Sequence, residues 1–306
     1  MTDITLLDGG MGQELVKRAE GPATPLWSTQ ALIDSPGLVA EVHGEYADAG
    51  ATIATSNTYA LHRDRLRGGG SNHYAAEGVI LANLEDQFEA LLDAALREAQ
   101  TVRDRCRVAG SIGPLGASYR PDLHPDHDVA VPLYAEVARR IAPQADILLF
   151  ETISSLAAAR AALEAGRQTD RPVWLAFTVD DEDGSLLRSG EKVADAASIA
   201  VDADAALVNC SAPEAVPQAL TALAASNVPT GAYANGFQTI TKDFIEGGTT
   251  VDGLKARRDM GPDVYAEHAL SWLDHGATIV GGCCEVGPAH IAKIAEQLKA
   301  SGHRIV

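Results

Sequence analysis

The stretch "ITLLDGGMGQEL", residues 4 to 15, decides between two folds that the rest of the chain leaves open. A short apolar run ends in a polar, glycine-rich turn and passes into helical sequence. An open, doubly wound sheet normally binds its cofactor at this place through G-x-G-x-x-G. Here the turn reads "DGGMG", without that spacing, so the first turn offers no dinucleotide fingerprint. A closed parallel barrel makes no such demand of its first loop.

Working outward, seven further short apolar or β-branched runs follow the first (4–7): 51–56, 106–112, 145–151, 172–179, 205–209, 228–234 and 277–282. Helical sequence fills the intervals, most clearly at 36–50, about 74–104, 132–144, 154–166 and 263–276, where apolar residues recur near helical spacing. Strands separated by helical crossovers specify a parallel sheet, and eight right-handed crossovers close it. The chain is therefore expected to form one (β/α)₈ TIM barrel, α/β in class, as a single domain over residues 1–306. The loops "RGGGSN" (67–72) and "IEGGTT" (245–250) read as surface segments or lids rather than domain boundaries.

The totals narrow the function. A net charge of −18 argues against nucleic acid or an anionic membrane as partner, because both require a basic footprint. No segment reaches the roughly 20 apolar residues of a membrane span, and "MTDITLLDGG" lacks a basic leader. Four cysteines in 306 residues are too sparse for a disulfide scaffold, so a cytoplasmic location is expected. The oligomeric state is left open.

Barrel chemistry sits where strands end. The residues that follow the apolar runs are Asp8, Gly9 and Gly10; Ser56, Asn57 and Thr58; Ser111; Glu151; Thr178; Asn209 and Cys210; Asn235; and Gly282, Cys283 and Cys284. Cys210 thus reaches the same face as the adjacent Cys283–Cys284 pair. Three thiolates meeting at one point make a soft site with an open fourth position, which suits a catalytic Zn²⁺. The bland alternative, three small buried residues, explains a lone cysteine better than a pair and a singleton at matching strand ends. Cys106 opens its strand at the opposite end and reads as structural, and "HPDH" (124–127) reads as a solvated loop.

A substrate thiol entering that open position would lose its proton, since metal coordination overcomes an unperturbed pKa of roughly 8.5. The substrate thiolate then serves as nucleophile, and no residue is needed as general acid or base. Its natural partner is a cationic methyl donor. Asp8 and Glu151 are expected to hold the ammonium of an amino-acid substrate, with backbone N–H groups of Gly9, Gly10 and Met11 toward its carboxylate. Asp8 could alternatively cap a helix. Asn57, Ser111 and Asn235 complete the expected substrate-binding set. A non-catalytic zinc or thiol-binding barrel would need neither Asp8 nor Glu151. A Schiff-base aldolase would want a strand-end lysine, and none of these strands ends in one.

With these residues assembled, the chain resembles the zinc-dependent homocysteine S-methyltransferases. The resemblance is carried by "LLDGGMGQEL" (6–15), "PLWSTQALIDSPGLVAEVHGEYADAGA" (25–51), "GSIGPLGA" (110–117), "LLFET" (148–152), "VNCS" (208–211) and "GGCC" (281–284). It implies a (β/α)₈ barrel, zinc on Cys210, Cys283 and Cys284, homocysteine's amino group on Asp8 and Glu151, and methionine as product. It also implies a methyl donor of the S-methylmethionine or S-adenosylmethionine kind, with betaine or dimethylsulfoniopropionate as the alternative. Departures lie near the donor side: "EVGP" (285–288) where the family usually has Gly-Thr-Thr-Pro, "YANGF" (233–237) for Pro-Asn-Ser-Gly, and Ala157–Ala158 where a second Glu is common.

Overall fold

The computed structural model describes residues 2–19, 24, 26–67, 84–238, 240–246 and 251–306. Its strands are β1 (Asp3–Leu6), β2 (Ile53–Thr55), β3 (Arg107–Ile112), β4 (Ile147–Ile153), β5 (Val173–Phe177), β6 (Ala205–Asn209), β7 (Thr230–Tyr233), β8 (Ala277–Val280) and β9 (Arg304–Ile305). They pair in parallel in the order β2-β3-β4-β5-β6-β7-β8-β1-β9. A parallel bridge from Leu7 to Ile53, with the Thr52 N–H donating to the Leu6 carbonyl at 2.8 Å, joins β1 to β2 and closes the sheet. The fold is the expected (β/α)₈ barrel.

The short strand β9 was not expected. It pairs with Asp3 and Ile4 of β1, and Thr52 Oγ1 donates to the Val306 carbonyl at 2.7 Å. It fills the N-terminal part of the β1–β2 seam, below the Leu7–Ile53 bridge.

The helices are α1 (Met11–Arg18), α2 (Thr29–Asp34), α3 (Leu38–Asp48), α4 (Arg63–Leu66), α5 (Phe88–Ala99), α6 (His127–Ile141), α7 (Leu156–Gly166), α8 (Val193–Ala200), α9 (Val216–Leu223), α10 (Lys242–Ile245), α11 (Pro262–Ser271) and α12 (Pro288–Ala300). The helical expectations at 36–50, 132–144, 154–166 and 263–276 correspond to α3, α6, α7 and α11, the last finishing in a 3₁₀ turn. Of the region 74–104, residues 85–102 are helical, and 74–83 lie outside the described residues. Most of the two expected surface loops, 67–72 and 245–250, also lies outside them. Caps set the boundaries: the Ser155 side chain accepts the Ala158 N–H at 3.2 Å to start α7, and Pro288 occupies the first turn of α12.

Strand parity delivers the site. Alternate residues of β4 share one face, so Ile147, Leu149 and Glu151 point the same way. Ile147 and Leu149 join Ala109, Trp174, Ala176, Leu207, Tyr233 and Ile279 in a cluster inside the barrel. Ser111, Thr178 and Asn209 continue the same faces as Ala109, Ala176 and Leu207, so a polar ring crowns an apolar plug. The opposite faces, with Leu148 and Phe150, pack under the alanine-rich surface of α7.

At Gly231 two strands approach closely: a Cβ there would lie 2.2 Å from the Ile279 carbonyl oxygen of β8. Backbone cannot rotate away, so Gly231→Ala is expected to destabilise the barrel by about 1–3 kcal/mol or more. Thermal unfolding of the variant checks this, and an unchanged melting temperature would contradict the packing described.

Candidate active site

The C-terminal strand ends open into one cavity whose lining includes Asp8, Gly9, Gly10, Met11, Asn57, Ser111, Glu151, Cys210, Cys283 and Cys284. The thiols converge because the backbone keeps pairing past the regular strands. The Cys283 N–H donates to Ala234 at 2.9 Å, Gly236 N–H to Cys284 at 2.8 Å, and Asn235 N–H to Ser211 at 3.1 Å. These bonds lash the segments after β6, β7 and β8 together.

The ligating atoms of Cys210, Cys283 and Cys284 all lie within 4.8 Å of one another, and no other such group of three occurs among the described residues. Cys210 Sγ and Cys283 Sγ are 2.6 Å apart. Hydrogen bonds from Cys283 and Cys284 hold the Cys210 thiol well below its usual pKa, while that same bonding pushes the other two well above. A tetrahedral zinc with bonds of about 2.3 Å sets sulfurs roughly 3.8 Å apart. The cluster fits that ion once the Cys210–Cys283 contact opens by about 1 Å.

The two carboxylates flank the thiols and are almost fully buried, Asp8 at 2 % and Glu151 at 7 % exposure. Asp8 is not a helix cap: α1 has Gly10 in that place with no side-chain cap. Its oxygens instead accept the Thr55 N–H at 2.6 Å and the Thr55 hydroxyl at 2.7 Å. Glu151 accepts from the Ser111 hydroxyl and from Tyr233 OH, the latter at 2.9 Å. Burial pushes the Asp8 carboxyl up to about 7 and Glu151 up to about 8. Carboxylates this deep await a cation.

Other expectations are met unevenly. Asn57 lines the cavity, with its Nδ2 donating to the Ser28 carbonyl at 3.0 Å. Ser111 acts by orienting Glu151. The Gly10 N–H is already given to the Val286 carbonyl at 2.9 Å and the Met11 N–H to Gly9 at 2.8 Å, so neither is free to receive a carboxylate. Asn235 is buried but is not among the lining residues, and its Oδ1 accepts the Phe237 N–H at 3.1 Å within its own loop. Sequence reasoning missed Thr55 and Tyr233, which orient the carboxylates, and the aromatic wall of Trp27, Tyr59, Tyr119, Phe237 and Phe244. Alternation along β2 and β7 could have found the first two.

Backbone strain gathers here too. Among the described residues six non-glycine residues have positive φ, and five of them, Trp27, Tyr119, Thr152, Cys210 and Glu285, line the cavity or adjoin its thiols and Glu151. Such conformations cost on the order of 1–3 kcal/mol each and persist where surrounding structure enforces them.

Known proteins share this sequence pattern and this fold. The model of the family described as homocysteine S-methyltransferase matches residues 5–298. The chain belongs to the homocysteine S-methyltransferase family. It is 28% identical over 317 residues to homocysteine S-methyltransferase of Escherichia coli, covering 95% of this chain and 94% of that one. It is 27% identical over 319 residues to homocysteine S-methyltransferase 1 of Arabidopsis thaliana, covering 96% and 93%. The metallated form of the homocysteine methyltransferase MmuM from Escherichia coli superposes with a TM-score of 0.75 at 26% identity, over 97% of this chain and 96% of that one. Membership fixes the barrel and the class of enzyme. Among the described residues no helix is long and apolar enough to cross a membrane.

In this family member both carboxyls have folded-state pKa values above their unfolded ones. The folded protein therefore keeps protons that the unfolded chain releases, and their effect lowers stability as pH rises from about 4 toward 7 and 8. Moving Asp8 from 3.8 to about 7 corresponds to a penalty on the order of 4 kcal/mol above that range. Metal-free, substrate-free Asp8→Asn and Glu151→Gln are expected to melt above wild type, by a margin that widens from pH 5 to pH 8. A margin that stays constant or narrows would refute the assigned burial.

Proposed function

We propose that this protein moves a methyl group from a sulfonium donor, S-methylmethionine or S-adenosylmethionine, to homocysteine, giving methionine, with zinc on Cys210, Cys283 and Cys284. The observation that supports it most is three thiols beside two buried carboxylates in one aromatic-walled cavity. The thiols match a soft metal, the carboxylates match an ammonium, and the aromatic faces match a methylated cation.

When bound, zinc would supply the Lewis acidity that strips the proton from a thiol ligand at neutral pH. The chain does the rest. Asp8 and Glu151 hold the amino group of homocysteine and so fix its sulfur near the cysteines. The homocysteine carboxylate points to the first turn of α1, which begins without a side-chain cap. Trp27, Tyr59 and Tyr119 surround the donor's cationic centre, while Phe237, Phe244 and Leu254 pack over the thiols and exclude water. In the transfer a carbon–sulfur bond forms to homocysteine as the donor's bond to the same methyl breaks. The donor sulfur keeps the electron pair and leaves as a neutral thioether, and the thiol proton goes to solvent. Positioning supplies most of the rate, and no side chain needs to act as acid or base.

We infer further that residues 1–306 act as one barrel domain in a reducing compartment such as the cytoplasm, where clustered thiols persist. The test is methionine formation by reduced, zinc-loaded protein given homocysteine with S-methylmethionine, S-adenosylmethionine, glycine betaine or dimethylsulfoniopropionate in turn. Turnover with a sulfonium donor, lost in Cys284→Ser, is expected. Zinc bound at one per chain with no donor accepted would sink the proposal.

Two quantitative expectations accompany it. Asp8→Asn and Glu151→Gln should each raise the KM for homocysteine about 10–100-fold, the worth of one hydrogen bond to a charged group. Because the ammonium needs ionised partners, kcat/KM for homocysteine should climb with pH and level off above about 8, where Glu151 is deprotonated. A profile flat between pH 6 and 9 would show that these carboxyls do not meet the substrate.

A further inference from the structure

Glu285 follows the metal-binding pair directly and stands in a left-handed conformation, φ 66°, that favours glycine. Its side chain is held at both oxygens. Gln13 Nε2 donates to Oε1 at 2.7 Å, and Lys17 Nζ lies 3.2 Å from Oε2. Gln13, itself buried, accepts at Oε1 the Trp27 indole N–H at 3.2 Å. An indole N–H only donates and an ionised carboxylate only accepts, so one orientation of the Gln13 amide satisfies both. Trp27 is the next strained residue, at φ 47°, and its ring lies so close over α1 that a Cβ on Gly12 would sit 2.2 Å from it. Beyond it Trp27 meets the edge of Tyr59, with ring centroids 5.8 Å apart. The Cys284 carbonyl meanwhile accepts from Gly236 at 2.8 Å, which pins the turn from its other side.

We propose that Glu285 and Gln13 are positioning residues: they form a strut that sets the Trp27 face of the cavity in register with the Cys283–Cys284 turn and thereby governs donor binding. Neither side chain lines the cavity, so both act through Trp27. The proposal rests on the methyl-transfer reading and assigns a role to the "EVGP" departure, whose first residue pairs with a glutamine 272 positions earlier.

The test uses the full-length, zinc-loaded protein with Glu285→Gly, Glu285→Gln and Gln13→Leu. Glu285→Gly and Gln13→Leu should raise the KM for the methyl donor about tenfold, the worth of one charge-assisted hydrogen bond, with zinc content and the KM for homocysteine within about twofold of wild type. Glu285→Gln keeps the acceptor without its charge and should give a donor KM between those of wild type and Glu285→Gly. Glu285→Gly also relieves the left-handed strain, so its melting temperature should equal or exceed that of wild type while donor binding weakens. A residue serving stability alone would not give that combination.

Tryptophan emission supplies a readout independent of turnover. Trp174 and Trp272 are buried, so the difference between each protein and its Trp27→Phe partner isolates Trp27. Zinc addition should change the Trp27 signal in wild type and leave it unchanged in Gln13→Leu. Equal donor KM in all variants, or losses shared equally by zinc, homocysteine and donor, would overturn the strut. A zinc response of Trp27 that survives in Gln13→Leu would overturn it as well. If wild type accepts no donor, the methyl-transfer reading fails, and the emission result still decides the strut.

Discussion

Three backbone hydrogen bonds beyond the ends of β6, β7 and β8 bring the cysteines together, and the chemistry depends on them. Cys210 and Cys283 are separated by 73 residues, and β7 lies between their strands. Only because Asn235, Gly236 and Cys283 go on pairing after regular structure stops do three sulfurs meet at one point. Beside this pairing the backbone is left-handed at Cys210 and Glu285. The strain is tolerated because the barrel around it is closed and its interior is packed with side chains from alternate strands.

The second constraint is electrostatic. Three clustered thiols and two nearly dry carboxylates share one cavity in a chain of net charge −18. Burial raises the pKa of both carboxyls, and at Glu151 the neighbouring Cys210 and Asp8 raise it further. In the proposed function, cations from outside resolve the imbalance: a metal at the sulfurs, an ammonium at the carboxylates, and the positive centre of a donor against the aromatic wall. The site is thus unfavourable when empty and complementary when full, the usual relation between stability and function at a binding centre.

Much of this was legible before the fold was known. The eight barrel strands announced themselves as apolar runs, and the strand-end rule picked out Asp8, Glu151, Cys210, Cys283 and Cys284. What escaped was whatever depends on contacts between distant residues. The strand β9 is too short to carry a pattern. Gly10 gives its N–H to Val286 at the far end of the chain and Met11 gives its own to Gly9, which no spacing reveals. Asn235 lies two residues past the end of β7, where its Oδ1 accepts within its own loop and its backbone pairs with Ser211. The bond from Gln13 to Glu285 joins opposite ends of the chain and has no local signature.

The central claim is that three cysteines hold a metal whose remaining position takes the sulfur of homocysteine. X-ray absorption at the zinc edge, with and without homocysteine, addresses it without any methyl donor. The account predicts three sulfur neighbours plus one lighter atom in the zinc-loaded protein, becoming four sulfurs when homocysteine is added. A shell that homocysteine leaves unchanged, or one with fewer than three protein sulfurs, would contradict it.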